Sequence, residues 1–468
     1  MEKILDQLID GYQEELVETV QRLISFNSVY EESNDPGAPF GVNIAAALEE
    51  TLNIGKSMGF TVRNLDGYAG LIDFGEGGKM VGVLSHIDVV PAGNGWTYPP
   101  FAGEVIDGKL FGRGSLDDKG PMVACLYAMK AIKESGLPIN NRLRHIIGTD
   151  EESGFRCIKY YLTKEEKPWC GFSPDGEFPV IHGEKAIIRF IIEKEWQSEI
   201  DDPSLLTIKE LQGGMRVNVV PAEASVKLLG NKFELAEIKT LMESYPQKDA
   251  LSLSEEGDSY VIKALGQSAH SSQPWYGINA INILLGFLRK LKLAPQGAAE
   301  YIFALADIFA DGHEGKNIGI ACSDDISGPL TLSFGILDIS SNKGKATFDL
   351  RFPIHANKEE IWQKIVEACR IRGLKPVILQ DKAPLYVPKD SPLVQNLLEV
   401  YRQMTNRSEA PVVIGGGTYC RAMENFVAYG PVFPGQKELA HEPNEFISID
   451  DLMLCAKIYA QALYMLLK

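Results

Sequence analysis

The chain has 468 residues, of which 45% are apolar and 23% charged, and its 46 basic and 63 acidic residues give a formal net charge of −17. This length and composition predict a folded protein with two domains, one of which could be discontinuous. The acidic balance argues against nucleic acid or an anionic membrane as the main partner.

The first residues, MEKILDQLIDGYQEEL, mix acids with apolar residues and so differ from the apolar core of a signal peptide. No stretch has the length needed to span a bilayer, and the cytosol is the expected location. The seven cysteines are widely spaced and include no CxxC pair. They predict reduced thiols, with no disulfide and no thiolate metal site.

In chain order, apolar residues at helical spacing first predict helices over residues 4–26 and 42–58. Short apolar runs then predict strands, and helical stretches lie among them. The strands are 71–74, 80–84 and 143–148, and the helices are 122–134 and 154–163. Alternating strands and helices predict an α/β fold with a largely parallel sheet. Polar clusters follow directly on two of these strands, where ligand groups gather in such sheets.

The pattern changes after Gly183, where alternating strands and amphipathic helices predict a separate α+β unit. Its strands include 187–195, 261–265, 330–334 and 347–352, and a helix is expected over 358–372. A helix over 393–404, the Gly-rich VVIGGGTYCR and a last helix from Ile449 complete the chain. The expected organisation is one domain made of residues 1–183 and 388–468, with residues 184–387 inserted into it.

Five segments concentrate histidines and carboxylates in turn-like positions. They are SHIDVVPAG (85–93), GRGSLDDKG (112–120), TDEESG (149–154), FSPDGEFP (172–179) and AHEPNE (440–445). A zinc- or manganese-type site needs neutral imidazoles and carboxylates, and a two-metal site also needs a carboxylate that bridges the ions. The set supplies all of these groups.

Three of these segments also have a plainer interpretation. His86 could be a loop histidine satisfied by backbone, but Asp88, two residues on, could hold its other ring N–H, as carboxylates do beside metal ligands. Asp117 and Asp118 could be turn acids near a helix start. Glu151 and Glu152 could form a solvated pair, although adjacent carboxylates after an apolar strand repel each other unless a cation compensates. One of the two could bind a metal while the other accepts a proton from water.

Taken together, the five segments resemble the aminoacylase/carboxypeptidase family of two-metal peptidases, and most closely its PepV-like dipeptidases. The resemblance covers nearly the whole chain. It implies a catalytic domain with an inserted lid, and it assigns the metal-site residues individually. His86 would be a ligand oriented by Asp88, Asp117 rather than Asp118 the bridging carboxylate, Glu151 the general base, and Glu152, Asp175 and His441 the remaining ligands.

The same resemblance extends to the inserted unit and to the Gly-rich segment. In GQSAHSSQP it implies that His270 stabilises the tetrahedral oxyanion. Asn218 in GGMRVNVVPAEA and Arg351 in FDLRFP would bind substrate, since an arginine suits a bidentate grip on a terminal carboxylate. Backbone N–H groups at Gly416, Gly417 and Thr418 could hold the same carboxylate.

The implied activity is metal-dependent hydrolysis of unblocked dipeptides by a metal-bridging water that Glu151 activates. The resemblance implies two divalent ions per chain, with Zn²⁺ as the first expectation and Mn²⁺ or Co²⁺ as alternatives. The expected partner is a small peptide, and the size of the insertion favours a monomer. An N-acyl amino-acid deacylase would use the same metal site, and a non-catalytic binding protein is the alternative outside enzymes. The presence of Glu151, the expected general base, disfavours the non-catalytic alternative.

Overall fold

A computed structural model describes residues 1–197, 205–230, 232–257, 259–294, 297–310 and 312–468. It divides into two compact units: the first unit is Met1–Glu184 with Leu385–Lys468, and the second unit is Lys185–Pro384. The predicted boundaries lay after residues 183 and 387. The second differs because the strand Leu385–Tyr386 pairs with Ile181–Glu184 and so belongs to the first unit.

A nine-stranded mixed sheet forms the centre of the first unit. Across the sheet the strands are Thr61–Leu65, Ala69–Phe74, Arg142–Gly148, Met80–His86, Cys170–Ser173, Phe426–Ala428, Ile181–Glu184 and Leu385–Tyr386, and Val412–Ile414 also pairs with Ile181–Glu184. The four consecutive strands from Arg142–Gly148 to Phe426–Ala428 are parallel to one another. The strands that continue this row on both sides pair antiparallel, so the predicted parallel arrangement holds for the middle of the sheet.

Helices pack around this sheet and bury its apolar residues in one large core. They are Lys3–Gly11, Gln13–Ile24, Val42–Ser57, Lys119–Ser135, Arg156–Lys164, Pro392–Thr405 and Ile449–Leu467. The predicted single helix over 4–26 is two helices that meet at Tyr12, directly after Gly11, a residue with low helix propensity. The smaller elements are the strands Glu104–Ile106, Lys109–Phe111, Phe446–Ser448, Gly176–Glu177 and Pro431–Val432, and the 3-10 helix Tyr419–Ala422.

The parallel strands bring the histidine and carboxylate segments to one edge of the sheet. Every residue of Met80–His86 is buried, as expected for a central strand covered on both faces. His86 ends this strand, Asp150 to Glu152 follow the neighbouring Arg142–Gly148, and Asp175 follows Cys170–Ser173 on the other side. Because the carboxyl ends of parallel strands meet at the same edge, these side chains gather in space.

The second unit contains an eight-stranded antiparallel sheet with its own apolar core. Across the sheet the strands are Leu251–Glu256, Ser259–Leu265, Glu223–Leu229, Thr207–Gly213, Thr331–Ile339, Lys343–Phe352, Ala186–Glu195 and Pro376–Lys382. Its helices are Lys232–Glu243, Ala280–Leu288, Ala298–Phe309 and Lys358–Ile371, with short 3-10 helices at Lys248–Ala250, Pro274–Tyr276 and Lys316–Ile318 and a two-stranded ladder of Ser323–Asp324 with Gly328–Pro329. This is the α+β pattern expected of the insertion.

Within the described residues, no helix combines the length and apolar character required to cross a membrane. All seven cysteines lie in described parts of the chain and are free, and six of them are buried. Burial raises the pKa of thiols such as Cys157 and Cys170, each to about 12, so they remain protonated at neutral pH.

Candidate metal centre and active site

His86 is fully buried at the end of its strand, and its ring is oriented by hydrogen bonding to Asp88. The ring Nδ1–H donates to the backbone carbonyl of Asp88 at 2.9 Å, while the Asp88 carboxylate lies further away, at 3.6 Å. A carbonyl can only accept, so Nδ1 carries a proton, and loss of the proton from Nε2 leaves a lone pair there. That is the form in which histidine binds a metal.

The Asp88 carboxylate has a second contact that the sequence did not predict. Its two oxygens accept hydrogen bonds from the backbone N–H groups of Glu151, at 3.1 Å, and Glu152, at 3.0 Å. Asp88 therefore fixes the turn that carries the predicted base and its neighbouring ligand, as well as the orientation of His86 through its carbonyl. Its role in orienting side chains is broader than the predicted one.

Asp117 lies between the two histidines. Its Oδ1 is 3.0 Å from His86 Nε2, and its Oδ2 is 3.1 Å from His441 Nε2. His86 Nε2 is also 3.8 Å from Asp175 Oδ2, and His441 Nε2 is 3.1 Å from Glu152 Oε1. The result is two groups of three potential ligands that share Asp117: His86, Asp117 and Asp175, and Asp117, Glu152 and His441.

The spacing within these groups fits metal ions. Two ligand atoms bound tetrahedrally at 2.0–2.1 Å from one ion lie about 3.3 Å apart. The separations given above run from 3.0 to 3.8 Å, and all ligand atoms within each group lie within 4.8 Å of one another. The donors are imidazole nitrogens and carboxylate oxygens, which suit zinc, manganese or cobalt. The side chain of His441 is 52% exposed, so the second group is open to solvent.

The pKa shifts within the cluster also indicate that it is suited to bind a cation. Burial and neighbouring charge raise the pKa of Asp175 to about 7, and hydrogen bonds to Asp117 and Glu152 raise the pKa of His441 to about 11. Without a cation, the crowded carboxylates hold protons on themselves and on the histidines. A divalent ion at each group would replace these protons and neutralise the same charge.

Glu151 belongs to a further group with His86 and Glu152, whose ligand atoms lie within 4.8 Å of one another, and this position beside two potential ligands suits a proton acceptor. Burial raises the pKa of Glu151 well above its ordinary value, and the charges of Glu152 and Asp175 add to the effect. Bound cations would oppose this rise, because a nearby positive charge favours the ionised carboxylate. Glu151 is then available as a base near neutral pH.

Glu445 joins the segment that carries His441 to the segment that carries Asp117. Its Oε1 accepts hydrogen bonds from the backbone N–H groups of Gly114, Leu116 and Asp117, at 2.9 to 3.1 Å. Its Oε2 accepts from Arg113 Nη1 at 2.6 Å, and both charged side chains are buried. This carboxylate lies four residues after His441 and holds the backbone of Asp117 in place.

The Gly-rich segment is anchored by Glu184. This buried carboxylate accepts hydrogen bonds from Thr418 through its N–H, at 3.1 Å, and its hydroxyl, at 2.5 Å, and from Arg421 Nε at 2.8 Å. Arg421 Nη2 in turn donates to the Gly416 carbonyl at 2.9 Å. The Thr418 N–H, predicted to bind a substrate carboxylate, is therefore engaged by Glu184, and the proposed anion contact is limited to Gly416 and Gly417.

The second unit brings Asn218, His270 and Arg351 together. The Ser271 N–H, next to His270, donates to the Asn218 carbonyl at 2.9 Å. The Ser271 hydroxyl donates to Asp349 Oδ1 at 2.8 Å, and Arg351 Nε donates to the same oxygen at 2.6 Å. The three predicted substrate residues thus share one hydrogen-bonded neighbourhood.

Several of these supporting residues were not predicted as site residues. Glu445 lies within one of the five segments, and Asp349 lies two residues before Arg351 on a strand, where alternate side chains share a face. That spacing could have identified Asp349. Glu184 and its contacts with the Gly-rich segment depend on pairing between distant parts of the chain, for which the sequence carries no local signal.

Comparison with known proteins adds an independent finding. The sequence model of the "Peptidase family M20/M25/M40" matches residues 82–465. "Putative dipeptidase YtjP" of Bacillus subtilis is 38% identical over 459 residues, which cover 97% of this chain and 98% of that protein. A "Putative dipeptidase" of Staphylococcus epidermidis is 34% identical over 470 residues, with 99% and 98% coverage.

Solved structures with the same fold include human carnosine dipeptidase 1, with a TM-score of 0.60 at 15% identity and coverage of 98% of this chain and 97% of that one. Aminoacylhistidine dipeptidase from Vibrio alginolyticus also gives a TM-score of 0.60 at 15% identity, with 97% and 96% coverage. At this level of identity the comparison establishes a shared fold.

Proposed function

Because this chain belongs to the peptidase family M20/M25/M40 and is therefore a metallopeptidase, we propose that it is a dipeptidase that hydrolyses unblocked dipeptides. The observation that carries the proposal is the pair of ligand groups that share Asp117, with Glu151 beside them. The relatives named as dipeptidases, which match over nearly the whole chain, support the same activity.

We assign the metal ligands as His86, Asp117 and Asp175 for one ion and Asp117, Glu152 and His441 for the other. Zn²⁺ is the first candidate, with Mn²⁺ or Co²⁺ as alternatives, since all three accept this donor set. Ions bound there would supply Lewis acidity toward the peptide carbonyl and lower the pKa of water.

Protein side chains carry out proton transfer and stabilise the oxyanion. Glu151 removes a proton from the attacking water and later delivers it to the leaving amine, a transfer that contributes about 10²- to 10⁴-fold to the rate. His270 donates a hydrogen bond to the oxyanion that forms when the carbonyl is attacked. Asp88 has no part in the proton transfer itself and instead holds Glu151, Glu152 and His86 in their orientations.

Substrate length follows from contacts at both ends of the peptide. Arg351, together with Asn218 and the backbone at Gly416 and Gly417, is assigned to the C-terminal carboxylate, for which a guanidinium offers paired donors. The free N-terminal ammonium is attracted by the site carboxylates. A blocked N-terminus loses that attraction, and we propose that binding both ends of the peptide restricts its length to two residues.

The test is hydrolysis of a free dipeptide, its N-acetyl derivative and the corresponding tripeptide by metal-loaded enzyme. Cleavage of only the free dipeptide is expected, and Glu151→Gln should lower kcat at least about 100-fold while the bound metal is unchanged. The exposed Glu442, outside the ligand groups, provides the matched control Glu442→Gln, which should keep full activity. A Glu151→Gln variant with normal kcat would contradict the assigned base.

The same three substrates distinguish the dipeptidase from the alternative enzyme, a deacylase. Preference for the N-acetyl compound would make the protein an N-acyl amino-acid deacylase that uses the same metal site. We further propose that the protein acts as a monomer, which sedimentation of the active enzyme tests directly. The cytosolic location predicted from the sequence stays a prediction.

A further inference from the structure

Asp349 is fully buried in the middle of the strand Lys343–Phe352, among cationic and polar side chains of the second unit. Its Oδ1 accepts hydrogen bonds from Arg351 Nε at 2.6 Å and from the Ser271 hydroxyl at 2.8 Å. Its Oδ2 accepts from Arg189 Nε at 3.1 Å and is 3.5 Å from Arg351 Nη2. One carboxylate therefore contacts two guanidinium groups and the residue next to His270.

The hydrogen bond from Ser271 to Asp349 also affects the imidazole of His270, because Ser271 and His270 belong to the same loop. The N–H of Ser272 donates to His270 Nδ1 at 3.3 Å, and the Ser272 hydroxyl lies 2.6 Å from the same nitrogen. Because Nδ1 accepts a backbone N–H, the ring proton of the neutral imidazole is on Nε2. The loop that Asp349 holds through Ser271 therefore presents Nε2–H, the donor form required at an oxyanion.

The face of the sheet that carries Asp349 is polar although it is buried. Ser333 lies directly opposite Asp349 in the strand register, and Thr331 lies opposite Arg351. Both hydroxyl oxygens are buried and have no hydrogen-bond partner among the described residues. Buried polar groups in native proteins normally have partners, so this face is suited to receive a polar ligand or water.

Regular pairing already fixes the backbone at Asp349. Its strand pairs on one side with Thr331–Ile339 and on the other with Ala186–Glu195, and both partners continue past this position. The contacts of the carboxylate therefore act on side chains and on the 270–272 loop rather than on the sheet itself.

We infer that Asp349 is a positioning residue that sets the Arg351 guanidinium and the His270 loop in their working orientations at the same time. The inference rests on the function proposed above, in which Arg351 binds the C-terminal carboxylate of the dipeptide. It links recognition of that carboxylate to stabilisation of the oxyanion, since both donors depend on one buried side chain. A dipeptide amide, which lacks the carboxylate, is the probe that separates the two effects.

The experiment compares kcat and KM for a dipeptide and for its C-terminal amide. Asp349→Asn should reduce the preference for the dipeptide, expressed as the ratio of the two kcat/KM values, by about 10- to 100-fold, because a charged hydrogen bond to Arg351 is lost. Ser271→Ala should lower kcat on both substrates and leave the ratio unchanged. Asp338→Asn is the matched control, since Asp338 is an exposed acid on the neighbouring strand and should change neither quantity.

Two further measurements keep the inference testable if Asp349→Asn is unstable or if neither substrate is cleaved. Asp349→Glu keeps the charge but displaces it by one methylene, and it should also reduce the ratio. In protein labelled with ¹⁵N-arginine, the NMR signal of the Arg351 Nε–H is assigned by its loss in Arg351→Lys. This proton should be protected from exchange with solvent in the wild type and lose that protection in the Asp349 variants.

The inference would be overturned if both Asp349 variants kept the wild-type ratio of the two kcat/KM values. It would also be overturned if the Arg351 Nε–H exchanged equally fast in wild type and variants. Absence of hydrolysis with normal Arg351 protection would count against the proposed function alone.

Discussion

At the scale of single residues, Glu445 shows how a side chain outside the ligand groups can control them. It accepts three backbone N–H groups around Asp117 and pairs with the buried Arg113. Glu445→Gln keeps the shape but weakens these contacts, so the apparent metal affinity should fall about 10- to 100-fold, the usual effect of losing a residue that orients metal ligands. Metal content measured across a series of chelator-buffered solutions checks this.

Glu442→Gln is the control for that experiment. Glu442 lies in the same segment but its side chain is exposed, so its loss should leave metal affinity unchanged. Equal affinities in Glu445→Gln and wild type would show that the loop around Asp117 keeps its conformation without the carboxylate.

His145 makes the stability of the protein depend on pH. It is buried with Nε2 2.8 Å from the Ser85 hydroxyl, and burial lowers its pKa to about 3 from an ordinary value of 6.5. The unfolded chain therefore binds a proton below pH 6.5 that the folded chain does not, and stability falls as the pH decreases from 6.5 toward 3. At pH 5 the loss relative to pH 7 is about 2 kcal/mol.

The comparison is with His145→Gln, which has no titrating ring. Urea unfolding of the metal-free proteins at pH 5 and pH 7 should give a pH-dependent loss larger by about 2 kcal/mol in the wild type than in the variant. Equal losses in the two proteins would mean that His145 is protonated in the folded state.

The site residues differ in how far the sequence could predict them. The five predicted metal ligands lie in short segments of recognisable composition, and the structure brings all five together. They are His86, Asp117, Glu152, Asp175 and His441. The finer contacts were less predictable: the His86 ring is held by the Asp88 carbonyl rather than its carboxylate, and the Thr418 N–H is engaged by Glu184. Such choices depend on which atom lies nearest after folding, and no local pattern specifies them.

At the scale of secondary structure, close approach of two central strands depends on glycine. Gly82 pairs with Gly171, and a Cβ on Gly171 would overlap the Gly82 carbonyl oxygen and the Phe426 ring. Since backbone atoms cannot move aside without breaking the pairing, Gly171→Ala should destabilise the protein by about 3 kcal/mol, the upper end of the usual cost of overpacking. Metal affinity should fall as well, because these strands lead into His86 and Asp175.

Gly11→Ala is the matched control, measured with Gly171→Ala by urea unfolding. Gly11 ends the helix Lys3–Gly11, and a Cβ built there has no described atom within 4 Å apart from its chain neighbours and the backbone of its own helix. Alanine should stabilise the protein slightly, by less than about 1 kcal/mol. Similar unfolding free energies for Gly171→Ala and wild type would show that the two strands can separate at little cost.

The elements that periodicity predicted well were those with a strong internal pattern. The predicted helix over 42–58 matches Val42–Ser57, and the predicted strand over 187–195 matches Ala186–Glu195. Short strands such as Val412–Ile414 and Pro431–Val432 went unpredicted because pairing with distant strands, rather than their own composition, forms them. The order of strands in both sheets is likewise set by contacts between residues far apart in sequence. The periodicity of apolar residues carries no information about such contacts.

At the scale of the whole molecule, the division of the chain allows the two sets of proposed functional residues to be separated. The five proposed metal ligands and the proposed base Glu151 belong to the first unit, whereas Asn218, His270 and Arg351 belong to the second. Each unit has its own apolar core. Glu184 pairs directly with Leu385, so a short turn can replace residues 185–384 without straining the first unit.

A protein with that replacement should fold and bind metal ions with the same stoichiometry as the full chain. It should lose at least about 100-fold in dipeptide kcat, since it lacks the proposed oxyanion donor His270 and the proposed carboxylate-binding Arg351. Circular dichroism, metal analysis and dipeptide hydrolysis measure the three properties. The full-length double variant His270→Ala/Arg351→Ala is the control, because it removes the same two side chains without deletion and should lose activity to a similar extent. Retention of full activity by the shortened protein would place the whole reaction in the first unit and remove His270 and Arg351 from the mechanism.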